Sequence, residues 1–92
     1  MPLNSNIELK VIVWMKGHAI PNHDPNVWRA DDFNHIIRYS DYGDRSSEYG
    51  WEIDHIVATA LGGGDNSGNL RPLHHRINSG LGGLLGSFIS KS

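Results

Sequence analysis

A run of three glycines followed by Asp and Asn, at residues 62–66, divides the second half of this 92-residue chain. Such a run can only form a loop, because glycine loses the most backbone entropy when it is fixed in a helix or strand. Residues 50–56, which precede it, predict a strand. Beyond it, Pro72 would lie in the first turn of a helix starting at Asn69, where proline is tolerated. Apolar residues at three- and four-residue spacing predict that helix: Leu70, Leu73 and Ile77.

The N-terminal part of the chain predicts shorter elements. Residues 7–13 alternate between apolar and polar side chains over most of their length, which favours a strand. A short helix is the alternative, because Leu9, Ile12 and Val13 also fit a period of 3.6 residues. Residues 25–30 predict a short helix capped by Asp24.

Together these elements predict a small α+β domain. Residues 33–39 favour a strand that pairs with residues 50–56 as a two-stranded antiparallel ribbon. We therefore expect one domain over residues 1–92: a strand, strand, helix unit with an N-terminal extension and a Gly-rich apolar tail at residues 80–92. The absence of cysteine excludes disulfides and a thiolate zinc site. Large aromatic residues are expected in the core: Trp14, Trp28 and Trp51.

Charge and hydropathy narrow the classes of function. The formal net charge of -2 argues against a protein that binds nucleic acid through its whole-molecule charge. A local basic patch is still compatible with the sequence, because no acidic residue follows Arg71. The apolar runs are too short or too interrupted by glycine to span a bilayer, so we expect a cytoplasmic protein with no membrane partner. The earlier acidic residues predict a solvated face: Asp31, Asp32, Asp41, Asp44 and Glu48.

Residues 49–80 carry polar residues at a distinctive spacing. Asp54 and His55 are adjacent, Asn69 follows His55 by fourteen positions, and Asn78 follows Asn69 by nine. This set resembles the HNH nuclease family. The resemblance implies a ββα-metal (His-Me) finger with its core at about residues 49–80. Short bacterial and phage HNH proteins are also similar around Trp14, Trp28, Tyr39 and Trp51.

The resemblance implies a role for each of these residues. His55 would be the general base that takes a proton from the water attacking a scissile phosphate. Asp54 and Asn78 would hold one divalent cation through oxygen atoms, which suits Mg²⁺ or Mn²⁺, with Zn²⁺ or Ni²⁺ as alternatives. Asn69 would support the catalytic loop through side-chain hydrogen bonds. His74, four residues before Asn78 and on the same predicted helical face, is a candidate third ligand.

Basic side chains in the same segment are candidates for contacts with nucleic acid. Arg71 and Arg76 are expected to clamp phosphates, because a guanidinium pairs with phosphate through two hydrogen bonds. His75 is out of phase with the ligand face and is expected either to contact a phosphate or to be exposed. Two positions depart from the usual family pattern: Ala58 where proline is usual, and Leu81 where lysine commonly follows the last Asn.

The sequence therefore predicts a metal-dependent endonuclease that hydrolyses DNA phosphodiesters, with RNA as an alternative substrate. The host would be a bacterial or phage-infected cell, and use as a secreted toxin is compatible with the same chemistry. A second hypothesis is an inactive nucleic-acid-binding or phage structural module that retains the finger, motivated by the acidic balance and the absent lysine. A third is an interaction domain whose apolar tail, residues 81–89, drives homodimerisation.

Overall fold

The computed structural model describes residues 5–81, which adopt an α+β fold with two antiparallel sheets. The α+β class predicted from the sequence is confirmed, and the predicted tail lies outside the described residues beyond residue 81. The elements in chain order are helix α1 (Ser5–Trp14), strands β1 (His18–Ala19), β2 (Trp28–Ala30), β3 (Ile36–Arg38), β4 (Trp51–His55) and β5 (Leu70–His74), and helix α2 (His75–Leu81). Residues 5–81 also contain short 3-10 turns at Tyr39–Asp41, Thr59–Leu61 and Ser67–Asn69.

The strands form one three-stranded sheet and one ribbon. β2 lies between β1 and β3 in the first sheet, and β4 pairs with β5 in the second. The ribbon runs in register from Trp51 opposite His74 to His55 opposite Leu70. The predicted pairing of residues 33–39 with residues 50–56 is therefore wrong, because β3 pairs with β2 instead.

Residues 7–13 lie within α1, so the favoured strand is wrong and the helical alternative is right. Val13 and Trp14 are buried, whereas Val11 is 40% exposed and Ile12 is 47% exposed. Alternation along a strand would have buried Val11 together with Val13. The burial pattern instead follows one helix face, which packs against β5.

Asp24 caps a single turn and not the helix predicted at residues 25–30. Its Oδ1 accepts a hydrogen bond from Asn26 N at 2.9 Å, and its carbonyl accepts from Val27 N and Trp28 N. The chain then enters β2, where Trp28 lies opposite Arg38 of β3. Pairing with β3 therefore overrides the local helical signal after one turn.

The helix predicted from Asn69 begins only at His75, because Leu70–His74 form β5. Leu70 and Leu73 point to opposite faces of the ribbon and are both buried, so a ribbon covered on both sides accounts for their three-residue spacing. In an antiparallel ribbon, pairs joined by backbone hydrogen bonds alternate with pairs that make none. The hydrogen bond from Ile56 N to Asn69 O fixes this alternation, and the pair of Ile53 with Pro72 is one that makes none. Pro72, which lacks an N–H, is therefore tolerated in β5.

The core lies where α1 meets the two sheets. Trp14 and Trp51 are buried with ring centroids 5.1 Å apart, which confirms the core position predicted for both. Trp28 is only half-buried and packs edge-on against Tyr49 at 5.0 Å. The buried cluster consists of Val13, Trp14, Ile37, Trp51 and Leu70, with Leu9, Tyr39 and Ile53 packed against it.

Two acidic residues expected on a solvated face are buried instead. Asp31 is 2% exposed, and its carboxylate accepts hydrogen bonds from the backbone of Phe33, His35 and His74. It thereby ties the β2–β3 turn to the end of β5. Asp41 is 8% exposed, and the solvated-face prediction fails for both because each carboxylate has internal donors. The other three are exposed as predicted: Asp32, Asp44 and Glu48.

Candidate functional site

The loop that follows β4 is fixed by the side chain of Asn69. Its Oδ1 accepts from Val57 N, and its Nδ2 donates to Val57 O and Gly64 O, each at 2.8 Å. The Asn69 side chain therefore joins the backbone at Val57 to the backbone at Gly64. The loop is tightly folded, because a Cβ added at Gly63 would lie 1.8 Å from Val57 O. Asn69 therefore holds both sides of the loop directly beyond His55.

His55 is the last residue of β4 and is half-buried at the mouth of this loop. Its Nε2 lies 2.7 Å from Oδ1 of Asp65, whose side chain is 86% exposed. No residue in the described part of the chain makes a hydrogen bond with Nδ1 of His55. Asp65 is not among the residues predicted from the sequence. Its place in the Gly-rich loop gave no spacing signal, since only the loop fold brings it back to β4.

The carboxylate of Asp54 is buried and paired with an arginine. Asp54 is 4% exposed, and its Oδ2 accepts from Arg71 Nε at 3.1 Å from the opposite position on β5. The same guanidinium lies 3.5 Å from Asp32 Oδ2 and 5.3 Å from the ring centroid of Phe33. His18 in turn lies 2.8 Å from Asp32 Oδ1. Arg71, which was expected to clamp a phosphate, thus pairs with the carboxylates of Asp54 and Asp32.

Asn78 on α2 faces the same side of the ribbon as Asp54. Its Nδ2 donates to Oε1 of Glu52 at 2.7 Å, and Glu52 precedes Asp54 by two residues, hence on the same face of β4. Arg45 also pairs with Glu52, at 2.6 Å and 2.8 Å. The hydrogen bond from Arg45, together with that from Asn78, holds the pKa of Glu52 below its ordinary value despite partial burial. The alternation of β4 could have predicted that Glu52 lies on the same face as Asp54.

His74 and His75 lie away from this group. His74 ends β5 opposite Trp51, so strand alternation places it on the ribbon face opposite Asp54. Both of its ring nitrogens are used, Nε2 with Glu48 O at 2.6 Å and Nδ1 with Arg76 N at 3.0 Å. The helical relation expected between His74 and Asn78 is absent because α2 begins one residue after His74. His75 is 8% exposed, not exposed as one alternative expected, and its Nε2 contacts Ser47 O at 2.7 Å.

Arg76 is the more accessible of the two arginines expected to bind phosphate. It is exposed on the first turn of α2 and lines an open hollow shared with His35, Glu48 and Tyr49. An exposed guanidinium needs little desolvation before it contacts a phosphate. Arg76 can therefore engage a ligand without losing an ion pair with any residue that the structure describes.

Two side-chain oxygen atoms near the end of β4 are of the kind that binds a hard cation. Asp54 Oδ1 and Asn78 Oδ1 accept no hydrogen bond from any described residue, and both are oxygen ligands of the kind that Mg²⁺ and Mn²⁺ prefer. Within residues 5–81, however, no cluster of three or more His, Asp or Glu side chains is arranged to hold a metal. A cation here would thus depend on an Asp and an Asn, and it would compete with Arg71 for Asp54.

Comparison with known proteins gave no match to any protein-family model, curated protein or solved structure. In the part of the chain that the structure describes, no helix has the length and apolar character needed to cross a bilayer.

Proposed function

We propose that the chain is a metal-dependent HNH endonuclease that hydrolyses DNA phosphodiester bonds, and that β4, β5 and α2 form its ββα-metal finger. The observation that carries this proposal is the position of His55. It ends β4 with one ring nitrogen free of described partners, beside a loop held by Asn69 and next in sequence to the buried Asp54. A base of this kind needs a neutral imidazole, whose unprotonated ring nitrogen can accept a proton.

In this proposal the free nitrogen of His55 takes the proton of a water molecule as its oxygen attacks phosphorus and the 3′ oxygen leaves. Asp54 and Asn78 would hold the divalent cation, which when bound neutralises charge on the phosphate and the leaving oxygen. Asn69 keeps the loop, and with it the imidazole, in place. Arg76 contacts a flanking phosphate, and Arg71 does so only when it leaves its carboxylate partners.

Plasmid nicking by wild type and His55→Ala at low salt, with Mg²⁺, Mn²⁺ or EDTA, tests the proposal. We expect divalent-dependent nicking by wild type and a loss of about 100-fold or more in His55→Ala, because one general base contributes about 10²–10⁴-fold. Unchanged circular dichroism and thermal unfolding would show that the variant is folded. A matched control is His23→Ala, which removes an exposed imidazole whose one hydrogen bond within residues 5–81 is with the carbonyl of Pro21. Equal activity in His55→Ala would remove His55 as the base. The same assay with an RNA substrate shows whether the protein cleaves DNA, RNA or both.

An inactive nucleic-acid-binding or phage structural module is the second candidate function. The pairing of Asp54 with Arg71 favours it, because an internal cation already neutralises the predicted metal ligand. This candidate predicts salt-dependent binding of DNA without cleavage by any cation. Fluorescence anisotropy over a range of salt concentrations, combined with the nicking assay, distinguishes the two functions.

A further inference from the structure

The glycine loop brings one acidic side chain to the imidazole of His55. Among the described residues, Asp65 alone contacts that ring through a hydrogen bond, from Oδ1 to Nε2 at 2.7 Å. The two residues are ten positions apart, and the contact exists only because the loop folds back onto the end of β4. Resting on the proposed function, the geometry points to Asp65 as a positioning residue. It holds the imidazole of His55 with Nε2 protonated and Nδ1 free to accept a proton.

The loop is built to place Asp65 at this position. Asn69 Nδ2 donates to the carbonyl of Gly64, the residue directly before Asp65. Gly63 lies so close to Val57 O and to Asn69 Nδ2 that no larger residue fits without moving the backbone. The same Asn69 side chain also binds the backbone of Val57, two residues after His55. The side-chain amide of Asn69 therefore fixes the backbone near His55 and the backbone next to Asp65 at the same time.

The chemistry of the pair sets the tautomer of the ring. A carboxylate only accepts hydrogen bonds, so the nitrogen facing Asp65 must carry the proton. In a neutral imidazole the other nitrogen, Nδ1, then holds the lone pair that a general base uses. When Nδ1 takes a proton, the adjacent carboxylate also stabilises the imidazolium that forms.

The exposure of Asp65 separates this role from a structural one. Its side chain is 86% exposed, and an ion pair in water adds little to folding stability because solvent screens it. Removal of the carboxylate should therefore leave the fold and its unfolding temperature unchanged. The effect should appear in the orientation and the tautomer of one ring.

Asp65→Ala and Asp65→Asn test the assignment on the full chain. In Asp65→Ala we expect kcat for plasmid or oligonucleotide cleavage to fall about 10- to 100-fold, with KM within about twofold, because the ring is oriented less well and substrate contacts are untouched. Asp65→Asn should recover only part of the lost kcat, because its amide oxygen can accept from Nε2–H but its NH₂ group can also donate to an unprotonated Nε2, so that the tautomer is not fixed. Glu8→Ala is the matched control, because it removes one exposed carboxylate on α1 whose side chain has no hydrogen bond within the described residues. It corrects for the change in net charge.

Nitrogen-15 spectra of the imidazole, recorded over a pH series up to the range in which the signals no longer change, give a readout that does not require activity. Wild type should show His55 as the Nε2–H tautomer, and Asp65→Ala should show a mixture of both, with His55→Ala identifying the signals. The same tautomer composition in both proteins, or an unchanged kcat in Asp65→Ala, would overturn the assignment. A wild type that never cleaves but loses its single tautomer in Asp65→Ala would overturn the proposed function and leave the positioning of the ring intact.

Discussion

The guanidinium of Arg71 connects three acidic and aromatic partners near the end of the ribbon. It lies 3.1 Å from the buried carboxylate of Asp54, 3.5 Å from that of Asp32, and over the ring of Phe33. A buried carboxylate without a counterion is costly, so Arg71 stabilises the metal-free fold. The same contact places Arg71 in competition with any cation that binds Asp54.

Arg71→Met tests this competition at the scale of one residue. In EDTA we expect the free energy of unfolding to fall by about 1.5–3 kcal/mol, because Asp54 loses its charged hydrogen-bond donor. Added Mg²⁺ or Mn²⁺ should restore part of that loss by binding the folded state, and should stabilise the variant more than wild type. Urea unfolding followed by tryptophan fluorescence measures both effects. Arg76→Met, which removes an exposed guanidinium, serves as the control and should change stability little. Equal metal stabilisation of wild type and Arg71→Met would argue against Asp54 as a ligand.

At the scale of elements, the loop between β4 and β5 depends on close backbone contacts. A Cβ at Gly63 would lie 1.8 Å from Val57 O and 2.8 Å from Asn69 Nδ2, whereas at Gly64 the nearest atom is an Asn66 side-chain nitrogen at 3.3 Å. Backbone atoms cannot move away from such a contact without shifting the loop. The end of an exposed side chain such as that of Asn66 can move at little cost.

Gly63→Ala and Gly64→Ala therefore form a matched pair. Gly63→Ala should displace the loop, weaken the Asn69 hydrogen bonds and lower the free energy of unfolding by about 1–3 kcal/mol. Cleavage should fall further than stability alone explains, because Asp65 and His55 lie on the two sides of the loop. Gly64→Ala should behave nearly like wild type in both measurements. Thermal unfolding and nicking assays on the two variants check the difference, and indistinguishable variants would contradict the close packing at Gly63.

The elements also show which sequence signals were sufficient to predict secondary structure. The strand at residues 50–56 and the glycine loop were predictable, because β-branched and aromatic residues beside a glycine run have few alternatives. β5 was predicted as a helix, because Leu70 and Leu73 at a three-residue spacing fit a helix face as well as a strand buried on both sides. Pro72 carried the opposing signal, since the residue before proline avoids helical backbone. Pairing with β4 then decides the conformation.

Tertiary contacts that the sequence does not reveal also limit the prediction of the site. Their spacing predicts Asp54, His55, Asn69 and Asn78 as site residues, and in the structure Asn69 makes hydrogen bonds with Val57 N and Gly64 O. The partners of these residues were not found, because the contacts of Asp54 with Arg71 and of His55 with Asp65 arise from strand register and loop closure. His74 was predicted on the same helical face as Asn78 because residues 70–74 were predicted as part of the helix, whereas they form β5.

At the scale of the whole molecule, α1 and both sheets share one buried cluster, so the described residues are expected to unfold as a single unit. Buried carboxylates make this unit sensitive to acid. Asp41 is 8% exposed, and the hydrogen bond from Ser47, followed by the contacts with Arg38, holds its pKa below the ordinary 3.8 although burial acts in the opposite direction. A carboxyl with a lowered pKa in the folded state stabilises the fold above its unfolded pKa. That contribution is lost as the pH falls through the folded value.

Asp41→Asn tests this dependence on pH. At neutral pH the variant should be less stable than wild type by about 1–2 kcal/mol, because Arg38 and Ser47 lose a charged acceptor. As the pH falls from the ordinary 3.8 through the lower pKa of folded Asp41, the two unfolding free energies should converge, since wild type also becomes neutral there. Urea unfolding at a series of pH values measures the difference. Asp44→Asn is the control, because this carboxylate is exposed and accepts hydrogen bonds from its neighbours Ser46 and Ser47, so solvent screening should leave a smaller difference. A constant gap between wild type and Asp41→Asn at every pH would mean that side-chain packing, and not the charge of Asp41, stabilises this region.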